Sequence, residues 1–430
     1  MAEQTEGIQT VQNPDVVQKY QMAAEVSNRV LKLVIDAAVE GARILDLCAL
    51  GDKSIEDGVK NLFAKDKKIS KGIAFPTCVS VNHIICHFSP LPSDPEGSEV
   101  LKNGDLAKIQ LGAQIDGYAA IVATTIVVGA SKDKPVKGRL ADVITAAHVA
   151  SEAALRLVKP GLSNDKVTET IQKIAKSFDT NSVEGMLSYQ QERNDIEGKK
   201  QIILNPNEAQ RRDFETVQFG ENEVYGIDIL ISTGEGKPKA SSIRTTVYKK
   251  TGNTYSLKMK TSRLLFTEIS QKFGTFPFPL RALEDEKKAR LGIAECANHA
   301  LVTPYDVYQG KEGKLKNSLK FVYMKYLLIL YISIYFIIII FIFTGDFVAQ
   351  FFNTVLLTKS GSTKITNTLY DPEVVQSDKK VEDEEIISLL ATSLKPKKKN
   401  KKKKDDKNAS DAVEEKKDET KDETKTKDEQ

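Results

Sequence analysis

A lysine run near the end of the sequence is the densest cluster of one chemical group in the chain. Residues 395–404, KPKKKNKKKK, contain eight lysines and no acidic residue. Ammonium groups at this density bind phosphate backbones, with an affinity that falls steeply as salt rises. A merely solvated low-complexity tail is the alternative, because the whole end of the chain almost lacks apolar side chains. Residues 393–430 are therefore predicted to be disordered and charged.

The cysteines and histidines show no spacing typical of a metal site. There is no CxxC pair, and free cysteines are commonly buried, so all four are predicted to be buried apolar residues in a reduced intracellular compartment: Cys48, Cys78, Cys86 and Cys296. The N-terminus MAEQTEGIQT has no basic start followed by an apolar core, so no secretory signal is predicted. A structural role is the simplest interpretation of His83, His148 and His299.

One glycine-rich stretch invites a phosphate-loop interpretation. Residues 232–239, STGEGKPK, lack the spacing GxxxxGK[ST] and lie between two runs typical of strands. A glycine-rich hairpin turn is the preferred interpretation.

The elements that must position any site alternate between two periodicities. Apolar residues at three- and four-residue spacing predict two helices within 15–50, two within 141–178, and two more at 262–273 and 281–301. Strands are predicted at 77–90, 105–111, 119–129, 223–233 and 244–250, with a last strand at 347–357. Segregated helices and antiparallel hairpins together favour an α+β fold.

Several blocks of sequence resemble one family. KGIAFPTCVSVNHIICHFSP, LKNGDLAKIQLG, ENEVYGIDILISTGEGK, LKMKTSR, EDEKKARLGIAEC and DFVAQFFNTVLL are similar to segments of the proliferation-associated (ErbB3-binding) proteins. The match runs from about residue 14 to 392 with one interruption. It implies the pita-bread fold of the type II methionine aminopeptidases, which are members of the peptidase M24 superfamily.

The resemblance also identifies the positions where those aminopeptidases bind two divalent metals through two Asp, one His and two Glu. In chain order these positions fall on Gln110, Ile121, Met186, Asp228 and Phe352. Two dications in one cavity need hard, largely anionic ligands, and only Asp228 is one. His87 matches a substrate-contacting histidine of the enzymes, and without metal a structural role is preferred. We therefore expect a pocket with no metal, no cofactor and no catalytic residue.

The partners implied by the resemblance are structured RNA and the large ribosomal subunit, with signalling or transcription proteins as further candidates. These proteins are nucleolar and cytoplasmic, so cytoplasm and nucleus, including the nucleolus, are the expected locations. The candidate RNA-binding residues are the cations of the loop LKMKTSR and of the lysine run: Lys258, Lys260, Arg263, Lys397, Lys398, Lys399, Lys401, Lys402, Lys403 and Lys404.

An apolar run interrupts the resemblance. Residues 326–343, YLLILYISIYFIIIIFIF, are long enough to cross a membrane. A real span would put the final strand on the far side of the membrane from the rest of the fold. The surrounding segment 314–345 contains no Ala, Pro, Arg, Asp, Glu, Gln, His or Cys, and its boundaries can be encoded as GGTAAA and ACAGGT. A retained, in-frame intron is the preferred interpretation, in which case no membrane partner is expected.

The sequence therefore predicts a flexible N-terminus (1–13), a pita-bread domain (14–313 and 346–392), an insertion (314–345) and a disordered tail (393–430). The predicted function is that of a non-enzymatic RNA- and ribosome-binding adaptor in ribosome biogenesis, translation or growth regulation. Two alternatives stay open: a metal-dependent, aminopeptidase-like hydrolase with altered ligands, and a protein anchored in a membrane through residues 321–343.

Overall fold

The computed structural model describes residues 9–312, 345–359 and 361–394. The predicted insertion, except for Gly345, and the lysine run, with the rest of the tail from residue 395, lie outside these residues. Within the described part of the chain, no helix is long and apolar enough to cross a membrane.

Eight α-helices are present in the described residues. α1 is capped by Asn13, whose side chain accepts a bond from the backbone N–H of Asp15, and Val11 before it is already buried. The packed chain therefore begins slightly before the predicted boundary at residue 14. The helices are α1 (Pro14–Ala37), α2 (Ile44–Lys60), α3 (Arg139–Leu157), α4 (Asn164–Ser177), α5 (Glu208–Asp213), α6 (Lys260–Lys272), α7 (Glu286–Asn298) and α8 (Glu384–Ala391).

The strands are more numerous than the sequence predicted, because several contain only two to four residues. They are β1 (Lys71–Val81), β2 (Ile84–Cys86), β3 (Leu106–Ile115), β4 (Tyr118–Val127), β5 (Asn181–Ser182), β6 (Leu187–Gln191), β7 (Gln201–Ile203), β8 (Val224–Ser232), β9 (Lys239–Ala240), β10 (Val247–Lys250), β11 (Phe278–Pro279), β12 (Val302–Tyr305), β13 (Tyr308–Gln309), β14 (Val348–Thr358) and β15 (Gly361–Lys364).

Within the described part of the chain, nine strands form one antiparallel sheet. Seven follow the order β1-β3-β4-β14-β8-β6-β7, while β15 pairs with β14 and β5 pairs with β8. Two small sheets, β11-β10-β12 and β2-β13-β9, flank it. Because β14 lies between β4 and β8, a strand from the C-terminal part of the fold joins the two halves of the sheet.

Helices cover one face of the large sheet. α1 and α2 pack on β1, β3 and β4, and α3 packs on β8 and β14 with α4 beside it. The alternation of a strand explains the arrangement, since successive side chains point to opposite faces. In β3, Ile109 and Leu111 belong to the core under α1 and α2, whereas Gln110 between them lines a cavity on the other face.

A helical unit formed by α6 and α7 is held against the first half of the sheet by a buried ion pair. The Arg281 guanidinium donates to the Asp52 carboxylate on α2 and to the Ser89 hydroxyl. Asp52 also accepts the backbone N–H of Thr77 in β1 at 2.7 Å. Asp52 is 8% exposed, so both charges are satisfied within the protein.

The chain segments on either side of the predicted insertion meet directly. The backbone N–H of Asp346 donates to the carbonyl of Lys311 at 2.8 Å, and the N–H of Lys311 donates to the Asp346 carboxylate at 2.7 Å. If residue 346 followed residue 313, the first of these bonds would be the i to i+3 bond of a β-turn.

Two local predictions were wrong. The segment STGEGKPK is no hairpin turn, because β9 pairs with β13 in a small sheet and not with the preceding strand β8. The strand at 347–357 is present as β14, but β15 follows and pairs with it, so β14 is not the last strand. The prediction that the four cysteines are buried is confirmed, and all four are free thiols.

Candidate functional site

A cavity of about 230 Å³ lies on the face of the large sheet opposite α1 to α4. It brings together all six pocket residues named from the sequence. Four of them lie on strands β3, β4, β8 and β14, one directly follows β2 and one directly precedes β6. In that order they are Gln110, Ile121, Asp228, Phe352, His87 and Met186.

The base of the cavity is formed by a hydrogen-bonded triad of side chains. The Gln350 Nε2 group donates to Asp228 Oδ1 at 2.9 Å, to Asp228 Oδ2 at 3.1 Å and to Gln110 Oε1 at 3.2 Å. Gln350 is 1% exposed and lies on β14 between the strands that carry its two partners. A neutral amide therefore holds the carboxylate by hydrogen bonds alone.

Asp228 is buried and has no cationic partner among the described residues. Its backbone N–H donates to Ser188 Oγ at 2.8 Å, which fixes β8 against β6 at this point. Burial raises the pKa of the Asp228 carboxyl to about 7, although the bond from Gln350 acts in the opposite direction. Near neutral pH both protonation states of this carboxyl are therefore accessible.

Phe352 projects an aromatic ring into the position where the resemblance places the final carboxylate of the enzymes. Its ring lies directly over Gly226 of β8, where an added Cβ would stand 2.6 Å from Phe352 Cζ. The ring is accommodated because residue 226 has no side chain. Phe352 belongs to an apolar cluster that also contains Ile121 and Phe75.

His87 forms the side of the cavity together with two aromatic rings. Its ring is 5.1 Å from the Tyr305 ring, centroid to centroid, and 6.0 Å from the Phe75 ring. His87 Nδ1 lies 3.0 Å from the carbonyl oxygen of Asp306, so Nδ1 carries the proton and Nε2 keeps a lone pair. Burial lowers the pKa of His87, which favours this neutral form.

The rim of the cavity carries a second acidic side chain that is already paired. Glu197 accepts the Tyr305 hydroxyl and binds the Lys249 ammonium at 2.9 Å. Burial, together with the Glu197 charge, raises the pKa of Tyr305 well above its ordinary value. Tyr305 is thus a fixed neutral donor.

These residues do not fit a pair of divalent ions. The described residues contain no group of three or more His, Cys, Asp or Glu side chains arranged to hold a metal. At the base of the cavity, one carboxyl is held by a neutral amide and its neighbours include Ile121 and Phe352, which cannot ligate. Hard dications require several anionic oxygen ligands, and this base offers a single carboxyl.

The three basic candidates of the folded domain lie together on the α6–α7 unit. Glu295 of α7 accepts the backbone N–H groups of Lys258 at 2.7 Å and Met259 at 3.3 Å, which fixes the start of α6. Lys258, Lys260 and Arg263 are all exposed. Arg263 also donates to the carbonyls of Leu257 and Lys258. The seven candidate lysines at 397–404 lie outside the described residues.

Sequence reasoning missed three side chains that shape the cavity: Gln350, Tyr305 and Glu197. Gln350 had a signal, since it stands two residues before Phe352 and must share its face of the strand. Tyr305 and Glu197 lie on a short strand and on a loop, and no periodicity marks them.

The antiparallel sheet, the helices on one face and the pocket on the other define a pita-bread protein of the M24 class. The model of the metallopeptidase family M24 matches residues 18–224. A solved structure of a thermophilic Arx1 is similar with a TM-score of 0.77 and 35% identity, covering 89% of this chain and 99% of that one.

Sequence relatives define the family more narrowly. The "Curved DNA-binding protein" of Schizosaccharomyces pombe is 44% identical over 387 residues, 90% of this chain and 92% of that protein. "ERBB-3 binding protein 1" of Solanum tuberosum is 43% identical over 407 residues, 94% of both chains. The chain therefore belongs to the proliferation-associated, ErbB-3-binding family, and both the predicted family and the predicted fold are confirmed.

Proposed function

We propose that this protein is a non-enzymatic adaptor that binds structured RNA and large ribosomal subunits in the cytoplasm and nucleus, including the nucleolus. It would act in ribosome biogenesis, translation or growth regulation. The observation that carries the proposal is the basic surface at the start of α6, defined here as Lys258, Lys260 and Arg263. Lys258 and Lys260 form no ion pair with any described acidic side chain, so their charges are free to meet phosphates.

The surroundings of this basic surface support RNA as the ligand. The ring of Tyr255 is 42% exposed and stacks on His299 with centroids 3.6 Å apart. An exposed aromatic face beside ammonium groups is the combination that binds unpaired bases and backbone together. The name of the relative from S. pombe, a DNA-binding protein, also agrees with a nucleic-acid ligand.

The pocket supports the non-enzymatic part of the proposal. A dinuclear metallopeptidase activates water between two ions, and the single carboxyl Asp228 beside Ile121 and Phe352 does not supply their ligands. The alternative, a hydrolase with altered ligands, is tested by metal analysis. The adaptor proposal expects less than a stoichiometric amount of any divalent ion in protein purified without chelator, whereas one or two tightly bound ions per chain would support the hydrolase.

Binding to ribosomal subunits and to a structured RNA is the decisive test. The variant Lys258→Glu/Lys260→Glu is compared with Lys166→Glu/Lys176→Glu, which makes the same charge change at exposed positions of α4. We expect the first variant to lose at least about tenfold in RNA affinity, to show a shallower salt dependence and to leave the subunit fractions of a density gradient. Equal binding by the two variants would contradict the role of this surface.

The lysine run is tested separately by truncating the chain after residue 394. We expect a loss of nonspecific affinity at moderate salt, while the contribution of Lys258 and Lys260 persists. Unchanged RNA affinity after truncation would remove the run from the proposal.

A further inference from the structure

The ionisable residues that line the cavity are mainly acidic. Three acidic residues line it, namely Asp228, Glu197 and Asp306, and the described residues that line it include no lysine or arginine. An anionic ligand would therefore meet the Asp228 carboxyl and no cationic lining side chain among the described residues. A neutral or cationic ligand is the one that these walls can accept.

The polar groups left over inside the cavity include the two oxygens of Asp228, besides the Gln110 amide nitrogen and the hydroxyls of Tyr189 and Tyr308. Gln350 supplies a single amide group to both Asp228 oxygens, which leaves the carboxyl with further lone pairs and no cation beside it. His87 spends its N–H on the Asp306 carbonyl, and Tyr305 spends its hydroxyl on Glu197. A ligand that brings several N–H donors would satisfy the remaining acceptors.

Three rings form an aromatic part of the cavity wall. The Tyr305 ring meets the Phe75 ring at 89° and the His87 ring at 88°, with centroid separations of 5.5 Å and 5.1 Å. Rings set at right angles present both faces and edges to one small volume. Faces of this kind attract cations through the ring quadrupole, and the apolar Ile121 and Phe352 suit an alkyl chain.

The size of the cavity narrows the ligand further. At about 230 Å³ it is below the range of pockets that hold drug-sized molecules. One amine head with a short alkyl stem matches this volume. We propose that the cavity binds a single alkylammonium group, with the ammonium against Asp228 and the aromatic faces and the stem against the apolar Ile121 and Phe352. The inference concerns the pocket and does not depend on RNA binding by the α6 surface.

Thermal unfolding of the full chain with three probes of one shape tests the proposal. At pH 8, 10 mM n-pentylamine is compared with 10 mM n-pentanol and 10 mM valerate. We expect the amine to raise Tm by about 1 to 3 °C, the alcohol to raise it less and the carboxylate to leave it unchanged. Equal effects of amine and alcohol, or no effect of either, would overturn the proposal.

Variants assign the effect to the cavity. In Asp228→Asn the amine should lose its advantage over the alcohol, while Glu208→Gln, which removes an exposed carboxylate on α5, should keep it. If Asp228→Asn does not fold, Tyr305→Leu serves instead, and the advantage should shrink with the loss of the aromatic wall. An amine effect that persists unchanged in the cavity variant places the binding elsewhere and refutes the inference.

Two sources of the ammonium group are separated by a second pair of probes. An N-acetylated pentapeptide with one central lysine is compared with the same peptide carrying norleucine. Stabilisation by the lysine peptide as well as by pentylamine, but not by the norleucine peptide, would identify a polypeptide side chain as the ligand. Stabilisation by free pentylamine but by neither peptide would identify a small amine, and failure of all three probes rejects the site.

Discussion

Two aspartates in this protein are equally withdrawn from water and are held in opposite ways. Asp52 and Asp228 are each 8% exposed. Asp52 faces the guanidinium of Arg281, whereas Asp228 faces the neutral amide of Gln350. Burial acts against the charge of Arg281, but the Asp52 carboxylate together with Cys48 and Cys78 outweighs it, and the pKa of Arg281 is raised. At Asp228 no opposite charge among the described residues compensates the carboxylate, and burial raises its pKa to about 7 against the effect of the Gln350 bond.

The difference separates an ionic site that holds the fold together from one that is open to a ligand. At Asp52 both partners are satisfied inside the protein, so the pair fixes the α6–α7 unit to the sheet. At Asp228 the protein supplies a hydrogen bond and no opposite charge. A buried carboxyl without a countercharge is costly when ionised and is therefore a site where a cation gains most.

Breaking the compensated site should have the largest effect. Arg281→Met leaves Asp52 buried without its cation, and we expect a loss of about 3 to 5 kcal/mol in the free energy of unfolding at pH 7. Urea denaturation measures it. The double variant Asp52→Leu/Arg281→Met should recover much of the loss, and a single-variant loss below about 1 kcal/mol would show that the two sites do not differ as described.

The uncompensated carboxyl of Asp228 should make the free energy of unfolding depend on pH. Because the pKa of Asp228 is raised in the folded state, the free energy of unfolding falls as the pH rises from about 4 to about 7. Above that range the full destabilisation persists. Asp228→Asn removes it. We expect wild type to lose roughly 2 to 4 kcal/mol more than the variant between pH 4 and pH 8.

The difference between the two unfolding curves isolates Asp228, because other groups titrate in both proteins. Lys108 is one of these groups, since burial lowers its pKa to about 7. Its effect on stability is opposite to that of Asp228, because it makes the folded protein more stable as the pH rises above that value. Parallel curves for wild type and Asp228→Asn would contradict the assignment of an uncompensated carboxyl.

A smaller effect tests how tightly the base of the cavity is packed. In Gly226→Ala the new Cβ would meet the Phe352 ring, so we expect a loss of about 1 to 3 kcal/mol. Phe352→Leu should relieve part of this loss in the double variant. The comparison uses Gly252→Ala, where an added Cβ meets no other atom within 4 Å and the change should be close to neutral.

The smallest effect on stability is expected from the largest change in sequence, the deletion of the insertion. Deleting residues 314–345 joins Gly313 to Asp346 and turns the Lys311–Asp346 bond into a β-turn. We expect the free energy of unfolding to change by less than about 1 kcal/mol and both aspartate sites to keep their behaviour. An unfolded deletion variant would contradict the closed junction, and a mature message that contains the segment would refute the retained-intron interpretation.

The sequence predicted what periodicity and length can carry. The long helices α1, α3 and α4 and the strands β3, β4, β8 and β14 lie where their patterns placed them. The two-residue strands β5, β9 and β13 carry no pattern of their own, and their pairing depends on partners far along the chain. That is why the glycine-rich connection after β8 was mistaken for a hairpin.

The site shows the same division. The cavity positions followed from the resemblance, and all of them do line one pocket. The partners that set their chemistry could not be predicted, because Gln350 meets Gln110 across 240 residues and Arg281 meets Asp52 across 229. Such contacts depend on the register of strands and on the docking of helices, which no local pattern encodes.

The junction between Lys311 and Asp346 makes this point of the chain a suitable site for the insertion of another domain. Two ends that are hydrogen-bonded to each other can accept a folded guest whose own termini lie close together, without strain on the host. A fluorescent domain placed there instead of residues 314–345 would allow the protein to be followed in cells without a fusion at either end of the chain. It would also show whether this junction tolerates an unrelated inserted sequence.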